Sequence, residues 1–319
     1  MRTKALLGVL AATLSISLTA HGETYPSGPV KIVVPFSAGS STDIIGREVA
    51  RVLGTELHQS FVVENRPGAQ ATIGGSQVAH ARPDGYTLLI GSTTSIAAVP
   101  FLLKQIPYKP LTDLQPVARI GAVPFILVAR ADLGIKTVGE LVDYAHKHPG
   151  KLNWGYANAA NRGAAAMMTH ELKMDTAAVP YTGVPQMVID MLGNRLDFGI
   201  IDTTNAAPQI ASGKLRALAV TSEDPLPQFP GVPPLGKTVK GYSLLGWYGV
   251  YVPAKTPKPV IDTLAKALLK GMDNADYKAH LAHAGLIPYP AGPKELAEFG
   301  QSETRKWAQM VKAADIHPQ

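Results

Sequence analysis

The 319-residue chain contains no cysteine. Disulfides, thiol nucleophiles and cysteine metal sites are therefore excluded. A lipoprotein anchor is excluded too, because it needs a cysteine at its cleavage point. Beyond the N-terminal stretch, no segment is apolar for long enough to cross a bilayer, which takes about 20 residues. There is no dense basic stripe and no nucleic-acid motif, so nucleic acid is not an expected partner. The G-x-S-x-G turn of a nucleophile elbow is missing. A dispersed catalytic set would leave no such trace, since triads are defined by geometry rather than order. His146 with His148, and His280 with His283, have metal-compatible spacing. Neither pair has convincing further ligands nearby, so both read as solvated helix faces. No cofactor is implied, and no short repeat or low-complexity tract is seen.

The start of the chain has the form of an address. Arg2 and Lys4 precede an apolar stretch over 5–18, and Ala20 and Gly22 fit a signal-peptidase site. Residues 1–22 are expected to be a cleaved signal peptide, the stretch being short for a membrane anchor. Losing Arg2 and Lys4 takes the net charge from +6 to +4, a weak bias toward anionic ligands. The mature chain is expected to be a soluble monomer outside the cytoplasm.

The length suffices for two α/β domains with cores of their own. Strand and helix signals alternate through the chain, which implies a parallel sheet with crossover helices. The strand Lys31-Ile-Val-Val-Pro35 runs into a small-residue turn over 37–41, and a helix opens at Thr42 or Asp43. Such a turn leaves backbone N–H groups at the positive end of a helix dipole. It is an anion site made without a charged side chain, suited to a carboxylate or phosphate, or else an ordinary βα turn. Asp43 is read as a cap or dipole partner of that helix. The segment 231–238 matches the P-loop pattern, but Pro233 and Pro234 lack the N–H groups that cradle phosphate, and no strand precedes it.

The first loop, Pro35-Phe-Ser-Ala-Gly-Ser-Ser-Thr-Asp43, resembles that of the Bug or TctC-like receptors of tripartite tricarboxylate transporters, with Ser40 where their second glycine is usual. Similar stretches follow in order: Val62-Val-Glu-Asn-Arg-Pro-Gly-Ala69, Pro83-Asp-Gly-Tyr-Thr-Leu-Leu89, Val179-Pro-Tyr-Thr-Gly183 and Gly213-Lys-Leu-Arg-Ala-Leu-Ala-Val-Thr221. The resemblance runs from residue 25 to about residue 318. It implies an α/β type II periplasmic-binding-protein fold, with lobe 1 from 23–121 and 241–319 and lobe 2 from 122–240. It implies capture of a small organic carboxylate between the lobes, transfer to membrane permease subunits, a Gram-negative periplasm and no catalysis. A ligand-sensing partner of a membrane receptor kinase is an alternative, and a secreted hydrolase or esterase a further one.

Four segments at one sheet edge are expected to line the cleft, where ligands of parallel sheets sit. The first gives Phe36, Ser37, Ala38, Gly39, Ser40 and Ser41. The second gives Ser92 and Thr93, the third Asn158, Ala159, Ala160, Asn161 and Arg162, and the fourth Asp202 and Thr203. Arg162 departs from the family pattern and could hold a carboxylate bidentately, or be a solvent-facing loop residue. Ala164, Ala165 and Ala166 stand where relatives often carry polar groups. They suggest a roomier wall and an aromatic mono- or dicarboxylate.

Overall fold

The computed structural model describes residues 25–313 and 315–318, so the expected signal segment lies outside the described residues. Strand β1 (Val30–Val34) leads into α1 (Ser41–Leu57), β2 (Phe61–Asn65), α2 (Thr72–Ala79) and β3 (Thr87–Ser92). A π-helical segment (Thr93–Ala98) continues into α3 (Val99–Leu102), followed by α4 (Pro110–Asp113) and the long β4 (Leu114–Arg130). Next come α5 (Val138–Lys147), β5 (Leu152–Tyr156), α6 (Ala159–Glu171), β6 (Thr176–Pro180) and α7 (Val184–Leu192). They are followed by β7 (Phe198–Asp202), α8 (Thr203–Ala211) and β8 (Leu215–Val220). The last elements are β9 (Leu245–Pro253), α9 (Lys258–Met272), α10 (Ala275–His283), β10 (Ile287–Ala291) and α11 (Pro293–Ala313).

The strands follow the order β2-β1-β3-β9-β4-β7-β5-β6, and β8 and β10 also pair with β4. Two parallel groups, β2-β1-β3 and β7-β5-β6, are joined by antiparallel β9 and β4. From Leu114 to Pro124, β4 pairs with β9; from Phe125 onward it pairs with β7 and β8. That change of partner divides the α/β molecule into two lobes with a cleft between them.

Local sequence explains the first unit. β1 is Val-Lys-Ile-Val-Val, and Ile32, Val33 and Val34 are fully buried, as parallel strands covered on both faces require. The α1 helix buries Ile45, Val49, Val52 and Leu53 along one face, against α9 with Ile261, Leu264 and Leu268. Each such side chain contributes about 1.5–3 kcal/mol. A second core fills the other lobe around Ile126, Met187 and Ile201. A third joins the lobes through Leu89, Ile96, Phe198, Trp247 and Trp307.

Among the described residues, no helix is long and apolar enough to cross a membrane. The P-loop-like segment carries only a three-residue turn of 3-10 helix, Leu235–Lys237, where a phosphate loop needs a full helix.

Candidate functional site

Five helical segments begin at the same edge of the sheet, each opened by a turn after a strand. Ser40 caps α1 and accepts from the Asp43 amide at 3.2 Å. Ser92 caps the π-helical segment in a reciprocal capping box with Ser95. Asn158 caps α6, accepting from the Asn161 amide at 2.9 Å. Gly183 caps α7 without a side-chain bond. Asp202 caps α8, accepting from the Asn205 amide at 3.1 Å. All five caps line a single cavity of about 40 Å³.

Helix geometry gives this cavity its chemistry. The first amides of a helix have no intrahelical acceptor, and the dipole puts partial positive charge beside them. In α1 the Ser40 amide bonds the Ser37 carbonyl and the Asp43 amide bonds the Ser40 hydroxyl. The Ser41 and Thr42 amides between them face no such helical acceptor. Hydroxyls of Ser37, Ser41, Thr42, Thr93, Thr94 and Tyr248 complete the polar wall. Among the described residues lining the cavity there is no lysine, arginine or histidine. An anion here would be held by dipoles and neutral donors.

The rest of the wall is apolar: Phe36, Val123, Phe125, Val184 and Trp247, with the ring of Tyr248. Hydrogen bonds between the lobes close it. Thr94 Oγ1 donates to Asn158 Oδ1 and accepts from the Ala160 amide, both at 3.2 Å. Thr203 Oγ1 donates to the Gly285 carbonyl at 3.0 Å. Within the lobe that carries the first loop, Thr93 Oγ1 accepts from the Trp247 amide at 2.9 Å, and Ser41 Oγ lies 2.8 Å from the Tyr248 hydroxyl. Two groups here have shifted acidity. Burial pushes the Asp202 carboxyl up, with the Asn205 bonds opposing it. Burial, reinforced by the nearby Asp202, pushes the Tyr248 hydroxyl up.

Of the residues expected from sequence, Phe36, Ser37, Ser40, Ser41, Ser92, Thr93, Asn158, Ala160 and Asp202 line the cavity. Six do not. Ala38 and Gly39 sit on the outer, exposed side of the first loop. Gly39 has φ +80°, and its amide is given to Asp43 Oδ2 at 3.0 Å rather than to the cavity. Ala159 is fully buried in the core. Asn161, in the first turn of α6, is buried and donates to the Ile200 carbonyl. Thr203 is spent on Gly285. Arg162 turns away: its guanidinium donates to the Leu102 carbonyl at 3.0 Å and the His317 carbonyl at 3.3 Å. It is 8% exposed, so it is neither a cleft ligand nor a solvent-facing residue. The alanine wall is displaced as well. Ala164 and Ala165 are in the core, and Ala166 borders a different surface groove.

Sequence reasoning missed Thr42, Val123, Phe125, Gly183, Val184, Gly246, Trp247 and Tyr248. Gly183 could have been found, because Pro180-Tyr-Thr-Gly183 before a helix is the same kind of turn as the first loop.

Asp43 holds that loop from below. It is 4% exposed and accepts from the Gly39 amide, Arg47 Nε at 3.0 Å and Asn65 Nδ2 at 2.9 Å. Burial opposes its ionisation, but these donors outweigh burial and hold the carboxyl below its usual range. Its folded value is thus depressed. The stability it contributes is present above about pH 4 and lost as pH falls through the folded value. Asp43→Asn is expected to lower stability near neutral pH by about 1–2 kcal/mol. The deficit should shrink as pH drops below about 4. Melting curves across pH check this; a constant deficit at all pH values would remove the charge from the account.

Comparison with known proteins adds the family context. The model of the tripartite tricarboxylate transporter family receptor matches residues 45–316. The structure of the periplasmic binding protein BugD superposes with a TM-score of 0.88 at 34% identity, covering 92% of this chain and 100% of that one. Rpa4515 of R. palustris, solved with adipate, gives 0.89 at 28% identity, with 92% and 100% covered. MatC of Rhodopseudomonas palustris, solved with bound malate, gives 0.86 at 29%, with 90% and 100% covered.

Proposed function

The chain belongs to the tripartite tricarboxylate transporter receptor family, and on that premise we propose that it captures an organic carboxylate between its lobes. It then delivers the acid to the membrane subunits of a tripartite tricarboxylate-type transporter. We place it in the periplasm of a Gram-negative cell, with lobe 1 made of 23–121 and 241–319 and lobe 2 of 122–240. The family is one of receptors, and no covalent step enters the proposal.

One observation carries the reading: five helix-opening turns converge on one cavity that has no cationic side chain. Fixed dipoles and amides replace the hydration of an anion without the desolvation cost of an ion pair. Adipate and malate, the acids bound by two similar proteins, are carboxylates of this type. The binding residues on this reading are Ser37, Ser40, Ser41, Thr42, Ser92, Thr93, Thr94, Asn158, Ala160 and Gly183, with Phe36, Phe125, Trp247 and Tyr248 against the ligand's body. Those four rings would suit an aromatic acid. The volume of about 40 Å³ favours a compact, non-aromatic acid. An aromatic acid would need the lobes further apart.

A thermal-shift screen tests the function. It should include malate, succinate, adipate, citrate, benzoate and terephthalate, with sugars and polyamines as controls. A ligand at 100 times its dissociation constant adds about 2.7 kcal/mol, or a rise of roughly 5–10 °C for a chain of this size. Carboxylates alone should produce it. Stabilisation by a neutral sugar or a polycation, with none from any acid, would overturn the reading.

A further inference from the structure

Four of the five caps around the cavity are neutral: Ser40, Ser92, Asn158 and Gly183. The fifth, Asp202, is an acid, and it stands in a wall otherwise built to attract anions. Capping does not require that charge, because asparagine, serine and threonine cap comparably well. Asp202 is 3% exposed. One oxygen, Oδ1, accepts from both the Asn205 amide at 3.1 Å and Asn205 Nδ2 at 2.8 Å. Oδ2 receives no hydrogen bond from another described residue, although the residue lines the cavity. No basic side chain lines the cavity to balance it, and the nearest titratable wall group, the Tyr248 hydroxyl, is itself pushed up.

Beyond the Asn205 bonds, only the Asp202 backbone amide donates to this carboxyl; a buried carboxylate with so few donors is costly, and a second carboxylate placed against it would be repelled. A ligand that brings its own O–H or N–H removes both penalties with a charge-assisted hydrogen bond. We propose that Asp202 reads a hydrogen-bond donor on the ligand, selecting carboxylates that carry a hydroxyl or ammonium group over the same acids without one. This rests on the carboxylate-receptor reading and narrows it. The acid end of the ligand meets the helix openings at Ser40 and Ser92. The donor on its carbon chain meets Asp202 from the other lobe.

The experiment is calorimetry with acids matched in length. One set is succinate, malate and aspartate; another is glutarate, 2-hydroxyglutarate and glutamate; adipate and benzoate are added as donor-free acids. Each is titrated into the wild-type protein and into Asp202→Asn, which keeps the cap and the shape. Asp202→Ser is a second variant should the first melt early. The expected result is at least a tenfold preference in the wild type for a donor-bearing member of one set over its donor-free partner. In the variants that preference should fall below about threefold. A tightest ligand lacking a donor, or a preference that survives in both variants, overturns the proposal. So does binding of donor-free acids that tightens tenfold from pH 7 to pH 5, since Asp202 would then be acting as a protonated donor. Which donor wins in the wild type separates hydroxy acids from amino acids. Failure of every acid to bind would count against the receptor reading itself, and the inference would fall with it.

Discussion

Gly183→Val should weaken carboxylate binding about ten- to a hundredfold while leaving the unliganded melting temperature near that of the wild type. Gly183 caps α7 with φ −166° and ψ 155°, an extended conformation open to any residue. A valine there meets no backbone strain. A Cβ at this position would lie 2.8 Å from Ser37 Oγ and 3.3 Å from Ser37 Cβ. Ser37 belongs to the first loop, on the other side of the cleft, and both residues line the cavity. The added atoms would therefore press on the first loop across the cleft, where lobe closure brings the two residues together. Overpacking of this kind costs about 1–3 kcal/mol, and each 1.4 kcal/mol is tenfold in affinity. Calorimetry with the best acid from the screen reads the loss. Ser37→Gly in the same chain should recover part of it by removing the struck atoms. Wild-type affinity in Gly183→Val would mean that the ligand does not require closure at this contact. Loss of fold would mean that Gly183 is a packing residue instead.

Much of this architecture could be read before any coordinates. The β-branched run of β1 and the small-residue turn after it give strand, turn and helix in order, and the helix starts at Ser41, one residue before the expected opening. Three features were hidden for definable reasons. The first is β4, whose 17 residues include Pro116 and Pro124. Proline normally ends a strand, but β4 accommodates Pro116 beside a register shift against β9. Only the half from Phe125, free of proline, carries an uninterrupted strand pattern. The second is the start of α6. The small and amide residues over 157–163 have the pattern of a loop, whereas the helix begins at Ala159 and Gly163 lies inside it. A Cβ at Gly163 would strike the Trp307 ring of α11, so close packing, not flexibility, explains the glycine. The third is the π-helical segment. Its residues 93–95 are hydroxyl-rich and read as a polar turn, while the capping box between Ser92 and Ser95 makes them a helix opening. The cavity's aromatic wall was invisible for a simpler reason. Phe125, Trp247 and Tyr248 lie on β4 and β9, and only the antiparallel pairing of those strands brings them to the cleft.

Arg162 shows how a shifted helix start changes the meaning of a side chain. In a loop it could reach a ligand; in the first turn of α6 it points along the helix flank toward α3 and the C-terminal segment. There it donates to the Leu102 and His317 carbonyls, with the Tyr156 ring 5.9 Å from its guanidinium. Burial lowers its pKa, and among the described residues no carboxylate forms an ion pair with it. Hydrogen bonds from a charged donor are worth about 1.5–3 kcal/mol. Arg162→Met keeps the apolar stem and removes both bonds. It should lower stability by about 2–3 kcal/mol, a fall in melting temperature of roughly 4–10 °C. Arg162→Lys should recover part of this, since an ammonium can serve one carbonyl but not span both as the guanidinium fork does. Affinities for monocarboxylates and dicarboxylates should change by the same factor, because the side chain touches the ligand in neither case. A loss of tenfold or more confined to dicarboxylates, with little change in melting temperature, would return Arg162 to the cleft as the second carboxylate's partner.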